Sequence, residues 1–237
     1  MSDKSKVIWL TGASSGIGKT IAELFVKKNH KVVCCSRNID KLKKLKSELE
    51  SDSRLIKIYK LDVANPNEVF DTYQEIKKEA DIDCLINNAG ITSFNAAKDD
   101  SVEEIRKIIE TNLLGSIYTI KAVLPDFIKK KHGTIINILS VVTKKIFENS
   151  SVYSASKQGL LAYTNVLREE VREHNIRVIN IIPGATKTPI WSNDILEKYS
   201  QRMMTPNDIS KIVFDVFSLN TNIVAEEIVL RPIKGDL

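Results

Sequence analysis

A glycine-rich turn separates the first predicted strand from the first predicted helix. Residues 6–10 form a short apolar run, and residues 11–18 then read Thr-Gly-Ala-Ser-Ser-Gly-Ile-Gly. Glycine suits positions where the backbone turns sharply or approaches a phosphate closely. The helix that follows offers unpaired N–H groups and a partial positive charge at its start. This order of strand, turn and helix predicts a unit that binds the phosphates of a nucleotide.

The same segment nearly matches a second phosphate-binding motif, because it continues as Gly18-Lys19-Thr20. A P-loop requires four residues between its first glycine and the Gly-Lys-Thr end, whereas five follow Gly12 here and Ala13 stands at the required position. The spacing therefore disfavours an NTPase and predicts that Lys19 is a solvent-facing residue in the first turn of the helix.

Short β-branched runs alternate with longer amphipathic stretches along the chain. Several of the runs are almost continuously apolar, which is typical of parallel strands covered on both faces. Regular alternation of this kind predicts one doubly wound, three-layer α/β domain. The predicted strands are Lys6–Leu10, Lys31–Ser36, Leu55–Leu61, Ile82–Asn87, Thr134–Ser140, Ile176–Ile182 and Glu227–Arg231, and the predicted helices are Gly16–Asn29, Asp40–Glu50, Asn67–Glu79, Ser101–Lys130, Ser151–Glu173 and Pro206–Leu219.

Length and composition fit this picture. A chain of 237 residues is expected to form a single domain over residues 1–237. Only residues 188–205 break the alternation, and they predict an inserted loop or short helices near the substrate. No apolar run approaches the roughly 18 residues of a membrane span, and the first residues do not resemble a secretory signal. The expectations are a cytoplasmic location and no membrane partner.

Charge, cysteine and histidine add few constraints. The chain has 35 basic and 30 acidic residues, and the lysines of residues 27–60 are not interleaved with aromatic side chains. They predict a solvated helix face and no nucleic-acid partner. The cysteines lie in apolar runs and are expected to be buried thiols, and neither they nor the histidines have metal-ligand spacing. No metal site is predicted from Cys34, Cys35, Cys84, His30, His132 and His174.

Tyr153 and Lys157 lie four residues apart on a predicted helix and therefore share one face. The free pKa of tyrosine is about 10, and a neighbouring ammonium is expected to lower it. Tyr153 could then give a proton to a carbonyl oxygen while hydride reaches the carbon. Ser140 ends a predicted strand, where open α/β sheets bind ligands. Alone, Tyr-x-x-x-Lys is common on amphipathic helices, and Ser140 could simply cap a turn.

Taken together and in order, these motifs resemble the short-chain dehydrogenase/reductase family over about residues 5–190. The resemblance implies a Rossmann-type sheet of seven parallel strands, hydride transfer to or from NAD(P), and a homo-oligomer, either a dimer or a homotetramer. The matching segments are TGASSGIG at 11–18, Asp62, NNAG at 87–90, Asn112, Ser140, Tyr153, Lys157 and PGATKT at 183–188.

The resemblance also implies roles for individual residues. Ser140, Tyr153, Lys157 and Asn112 would be catalytic; Lys157 would also hold the nicotinamide ribose, and Asn112 would help to carry protons to solvent through water. Pro183 and Gly184 would lie at the nicotinamide, although they also suit a plain strand-ending turn. The implied cofactor contacts are Gly12, Ser14, Ser15, Gly16, Ile17 and Gly18 at the phosphates, Ser36, Arg37 and Asn38 at the ribose, Asp62 and Val63 at the adenine, Asn87, Ala89 and Gly90 beside the adenosine, and Tyr153, Lys157, Pro183, Gly184, Thr186 and Thr188 at the nicotinamide.

The end of the second predicted strand favours NADP(H) over NAD(H). An NAD site usually has an acidic residue there for the ribose 2′-hydroxyl, but this chain has Ser36 and Arg37. A guanidinium can pair with a 2′-phosphate through two charge-assisted hydrogen bonds. Two points weigh against the assignment: many NADP-dependent relatives have a basic residue where this chain has Ser15, and Arg37 could be an ordinary surface residue.

The substrate end is less constrained. The leading hypothesis is an NADPH-dependent carbonyl reductase acting on a small molecule, with a 3-oxoacyl-ACP reductase and a non-catalytic NADP-binding scaffold or sensor as alternatives. Lys144 and Lys145 could face an anionic group, although solvated loop charges are the favoured interpretation. An apolar pocket is predicted from Val141, Val142, Ile146 and Phe147, and a flexible lid from Trp191, Met203 and Met204.

Overall fold

The computed structural model describes residues 5–219 and 222–237. At its centre lies a parallel sheet of seven strands in the order β3-β2-β1-β4-β5-β6-β7. The order reverses between β1 and β4, which is the point where open α/β sheets form a ligand crevice. The strands are β1 Val7–Thr11, β2 Lys31–Ser36, β3 Ile56–Lys60, β4 Cys84–Asn87, β5 Gly133–Ile138, β6 Ile176–Pro183 and β7 Glu227–Leu230.

Helices cover both faces of the sheet and complete three layers. Side chains alternate along each strand, so that Ile8 and Leu10 pack against α1, α2 and α8, while Trp9 packs on the opposite side with α3, α5 and α6. The helices are α1 Gly16–Lys27, α2 Ile39–Glu48, α3 Pro66–Lys77, α4 Val102–Ile109, α5 Gly115–Lys130, α6 Ser151–Val171, α7 Asn193–Tyr199 and α8 Pro206–Phe217.

This architecture confirms the predicted Rossmann-type fold, and each predicted strand is present with ends displaced by two residues at most. The prediction of one helix over 101–130 is wrong, because a π-helical turn at Glu110–Leu114 separates α4 from α5. The wider turn contains Asn112, whose side chain is fully buried. Such π-turns inside helices occur frequently at functional sites. Within the described ranges, no helix is both long and apolar enough to cross a bilayer.

A row of buried amides crosses the three strands that lead to the functional site. Asn87 of β4 donates to Asn137 of β5, and Asn137 donates to Asn180 of β6, both over 3.1 Å. Thr119 closes one end of the row with a 2.6 Å bond to Asn87, and Thr164 closes the other end at Asn180. Since buried amides are costly unless paired, this row fixes the mutual register of β4, β5 and β6.

Candidate active site

A cavity of about 700 Å³ lies along the carboxyl ends of the strands. Its volume is within the range of about 300–1,000 Å³ that is usual for small-molecule sites. Segments that follow all seven strands meet there, as the switch in strand order predicts for the central ones. Of the predicted site residues, those that line it are Gly12, Ser14, Ser15, Gly16, Ile17, Ser36, Arg37, Asn38, Asp62, Val63, Ala89, Gly90, Ser140, Tyr153, Lys157, Pro183, Gly184, Thr186 and Thr188.

The glycine turn forms one end of the cavity. Gly12 and Gly16 have φ angles of +66° and +53°, in the left-handed region that favours glycine. A Cβ on Gly12 would also lie 2.8 Å from the Cα of Ala89, so the close approach of these backbones requires glycine. The side chain of Ser15 makes no capping bond at the start of α1. The first N–H groups of α1 therefore face the cavity without a side-chain partner, and they suit an anion.

Gly18 and Lys19 belong to the same motif but do not line the cavity. A Cβ on Gly18 would lie 2.3 Å from the carbonyl oxygen of Gly12. Gly18 thus allows α1 to pack against the turn, and its contact with the cofactor stays a prediction. Lys19 forms a 2.6 Å ion pair with Glu48 on the surface, as expected of a solvent-facing lysine.

The end of β2 places one basic side chain beside the cavity. Ser36 is buried, and its hydroxyl is bonded to the backbone of Asn38 in both directions, over 3.1 and 3.2 Å. Arg37 lies between them and is exposed. Its guanidinium can therefore reach an anionic group at this end, while Asp62 and Val63 close the adjoining wall.

At the opposite end, the side chains of Ser140 and Tyr153 line the cavity together. Ser140 follows β5 in extended backbone, and Tyr153 lies in the first turn of α6. Burial raises the pKa of the Tyr153 hydroxyl, while the Ser140 hydroxyl acts to lower it. The two hydroxyls converge on the cavity, so they can bond one carbonyl oxygen together.

Lys157 is buried one turn further along α6. Its ammonium nitrogen donates a 2.8 Å hydrogen bond to the carbonyl oxygen of Ile138 and lies 5.9 Å from the centroid of the Tyr153 ring. Burial lowers the pKa of Lys157 to about 8. The shared helix face was predicted, but the expected lowering of the Tyr153 pKa by Lys157 is not found: burial raises this pKa, and Lys157 is not among the groups that lower it.

Asn112 lies behind the cavity wall and not in it. Its amide bonds both the N–H and the carbonyl of Ile91, over 2.9 and 2.8 Å, and donates to the Ser156 hydroxyl over 3.0 Å. Ser156 in turn donates to the carbonyl of Tyr153. Asn112 thus ties the loop after β4 to the first turn of α6. Its role in carrying protons to solvent through water stays a prediction.

Asn87 is the other predicted residue outside the cavity. It belongs to the buried amide row and faces Asn137, and its role as a contact beside the adenosine stays a prediction. The neighbouring Asn88 lines the cavity instead and bonds the carbonyls of Thr11 and Gly12. The Asn-Asn pair is evident in the sequence. Because side chains alternate in direction along a strand, this alternation could have shown which of the two amides faces inward.

Aromatic side chains close the substrate end. Phe94 stacks on Trp191 with ring centroids 5.0 Å apart, and the Trp191 indole N–H bonds the carbonyl of Thr186. Phe147 lies on the adjoining wall, as predicted, whereas Ile146 is 92% exposed and does not line this cavity. Thr111 of the π-helical turn also lines the cavity. Further lining residues lie on connections that carry no sequence motif: Leu61, Ile91, Thr92, Phe94, Glu148, Ile190, Asp236 and Leu237.

The predicted lid has a different composition from the one expected. Met203 is buried, and Met204 packs against the core beside α8, so neither methionine covers the cavity. Trp191 alone of the three lines it. Lys144 forms an ion pair with Glu227 over 2.6 Å, and Lys145 forms one with Asp236 over 3.3 Å. Both lysines therefore have acidic partners within the chain.

Comparison with known proteins agrees with this geometry. The family model for short chain dehydrogenases matches residues 6–198. A sepiapterin reductase of Chlorobaculum tepidum is 31% identical over 239 residues, covering 98% of each chain. An alcohol dehydrogenase of Thermococcus sibiricus complexed with 5-hydroxy-NADP has a TM-score of 0.89 at 25% identity, covering 99% of each chain. A serine dehydrogenase complexed with NADP⁺ has a TM-score of 0.88 at 28% identity, covering 98% of this chain and 96% of its own. The chain belongs to the short-chain dehydrogenase/reductase family and is an NAD(P)-dependent oxidoreductase.

Proposed function

We propose that this protein uses NADPH to reduce the carbonyl group of a small ketone to an alcohol. The observation that carries the proposal is the convergence of Ser140, Tyr153 and Lys157 at one end of a cavity whose other end is an uncapped helix start. Phosphates suit the helix start, and a polarised carbonyl suits the two hydroxyls. One cavity therefore offers a place for the phosphates of the cofactor and a place for the carbonyl of the substrate, and hydride transfer requires both.

The residues present fit a dinucleotide. The left-handed glycines leave room for a pyrophosphate beside α1, and Asp62 and Val63, which line the same cavity, are proposed to contact the adenine. Lys157 is within reach of a ribose near Gly90, since a Cβ on Gly90 would lie 3.5 Å from its nitrogen. When bound, NADPH would supply the two electrons and the hydrogen that the carbonyl carbon receives.

The chain's own groups supply the proton. Tyr153 donates its hydroxyl proton to the carbonyl oxygen, whose negative charge grows as the carbon is reduced, and Ser140 donates a second hydrogen bond to the same oxygen. The Lys157 ammonium stabilises the resulting phenolate, which then recovers a proton from solvent. Help of this kind is typically worth about 10²–10⁴ in rate. Asn112 positions Tyr153 through Ser156.

Arg37 supports NADP(H) as the preferred cofactor. Its exposed guanidinium stands beside the cavity, and no acidic residue takes the position next to it at the end of β2. A fixed positive charge there favours a 2′-phosphate. Two similar structures are complexes with 5-hydroxy-NADP and with NADP⁺, which supports the same preference here.

The substrate end supports a ketone with an apolar body. Phe94, Phe147, Ile190 and Trp191 line it. The single domain, the cytoplasmic location and the homo-oligomer, dimer or tetramer, remain predictions. A 3-oxoacyl-ACP reductase is the alternative within the same chemistry.

The decisive experiment is a carbonyl panel followed by NADPH absorbance. Purified protein would be mixed with aliphatic ketones, aromatic ketones, diketones and a 3-oxoacyl thioester, with NADPH and NADH in parallel. The expected result is oxidation of NADPH by one class of ketone, with lower efficiency for NADH. Saturable NADPH binding without turnover in the whole panel would contradict the proposal and favour a cofactor-binding scaffold or sensor.

A further inference from the structure

An acidic side chain from the segment after β7 reaches the candidate active site. Asp236 and Leu237 line the same cavity as Tyr153, although they are far from it in sequence. The Asp236 side chain is only 7% exposed. A nearly buried carboxylate is unfavourable unless its charge and both its oxygens are satisfied.

Basic residues on three segments hold Asp236 from outside the cavity. Its Oδ2 accepts hydrogen bonds from Lys145, over 3.3 Å, and from Arg231. Its backbone carbonyl accepts from Arg202 over 3.2 Å. Among the described residues that line the cavity, none of these three cations is present. The carboxylate thus lies between the cations and the cavity.

The second oxygen of this carboxylate has no partner. Oδ1 is buried and makes no hydrogen bond within the part of the chain that the structure describes. A buried acceptor without a donor is a persistent cost to the fold. Oδ1 is not exposed to the cavity in this rotamer. Because the torsion that orients an aspartate carboxylate is broad, we expect it to rotate toward a donor on a bound substrate.

The charges around Asp236 determine which kind of hydrogen-bond donor suits its carboxylate. Lys145 and Arg231 already more than neutralise the carboxylate, and a further cation in the cavity would be repelled by both. An anionic group would meet the carboxylate itself. A neutral hydroxyl or amide N–H provides the missing hydrogen bond without adding charge.

We infer that Asp236 is a specificity-determining residue whose free carboxylate oxygen accepts a hydrogen bond from a neutral donor on the ketone substrate, at a point remote from the carbonyl. This inference rests on the proposed carbonyl reduction. It adds a polar contact to an end of the cavity that is otherwise mainly aromatic and aliphatic.

The test compares three ketones of equal length at saturating NADPH: one with a terminal hydroxyl, one with the corresponding methyl ether and one with a plain alkyl end, over a series of chain lengths. For the unmodified protein, kcat/KM for the best hydroxy ketone should exceed that for its ether by about tenfold or more. Asp236→Asn should reduce this preference to about twofold or less, because its amide oxygen would face the cations and its NH₂ would take the place of Oδ1.

Matched variants separate this role from support of the fold. Lys145→Met removes an ion pair but keeps the carboxylate, and Asp194→Asn makes the same chemical change at an exposed position of α7. Both should retain the hydroxyl preference. Asp236→Glu should retain it with a shorter best substrate, which keeps the test valid if the Asn variant does not fold.

Two negative outcomes are distinguishable. If the unmodified protein reduces ketones but treats the hydroxyl and ether forms alike, the role of Asp236 is wrong and carbonyl reduction stands. If no ketone is reduced, the proposed function fails and the inference fails with it.

Discussion

The Lys157 ammonium nitrogen lies 5.9 Å from the centroid of the Tyr153 ring and donates a 2.8 Å hydrogen bond to the carbonyl of Ile138. That bond anchors the lysine to the end of β5, one turn of α6 away from the proposed proton donor. The positive charge is thus held beside the cavity by the backbone, while burial works against it.

The pH dependence of kcat should follow the protonation of Lys157. Burial lowers the pKa of Lys157 to about 8, so its ammonium is present below that pH and is lost as the pH rises through it. We expect kcat for ketone reduction at saturating NADPH to be level below about pH 8 and to fall above it. Lys157→Arg keeps its charge over this range and should shift the fall to higher pH. A profile that crosses pH 8 without change in the unmodified protein would exclude this assignment.

Removal of one hydroxyl should separate turnover from binding. Tyr153→Phe deletes the proton donor but keeps the ring, so kcat should fall by about 10²-fold or more while the dissociation constant for NADPH changes little. Steady-state kinetics and NADPH fluorescence titration measure the two quantities. Tyr163→Phe is a matched control, since Tyr163 lies on the same helix and is not among the residues that line the cavity. A Tyr153→Phe variant with near-normal kcat would remove the tyrosine from the mechanism.

Charge reversal at Arg37 should change the cofactor preference. Arg37→Glu replaces a guanidinium by a group that repels a 2′-phosphate and can bond a 2′-hydroxyl. The ratio of kcat/KM for NADPH to that for NADH should fall by about 10- to 100-fold. Lys41→Glu changes the charge equally on the exposed start of α2 and should leave the ratio nearly unchanged. Equal effects of both variants would mean that only the net charge matters.

The buried amide row should be costly to interrupt. Asn137→Leu has a similar volume but leaves the side-chain amides of Asn87 and Asn180 each without one partner. Because each unpaired buried group costs about 1–3 kcal/mol, we expect the free energy of unfolding to fall by about 2–5 kcal/mol. Urea denaturation measures the loss. Asn67→Ala, at an exposed position, is the control. A loss under about 1 kcal/mol would show that the row contributes little to stability.

The sequence predicted most of the fold because its signals are local. Apolar runs and amphipathic stretches identify strands and helices, and the glycines at 12 and 16 mark a turn that needs left-handed backbone. The break at Glu110–Leu114 could not be predicted in this way, since it depends on the buried contacts of Asn112 with Ile91 and Ser156. Helical periodicity alone does not distinguish a π-helical turn from a continuous helix.

The residues of the candidate site also fall into two groups: those that a sequence motif identifies and those that only tertiary contacts bring to the cavity. Ser140, Tyr153 and Lys157 were identified because their order and spacing form a motif. Phe94 and Asp236 were not, since each lies on a connection and reaches the cavity only through tertiary contacts. The direction in which the Tyr153 pKa shifts also depends on burial, and the spacing of residues in the sequence does not reveal burial.

The amide row that joins β4, β5 and β6 has a consequence for redesign of this enzyme. It secures the scaffold beneath Ser140 and Lys157 without using any side chain of the outer loops. Phe94, Trp191 and Asp236 can therefore be randomised together as a compact library, with little risk to the framework that holds the reacting groups. Selection for new ketone preferences should begin at those three positions.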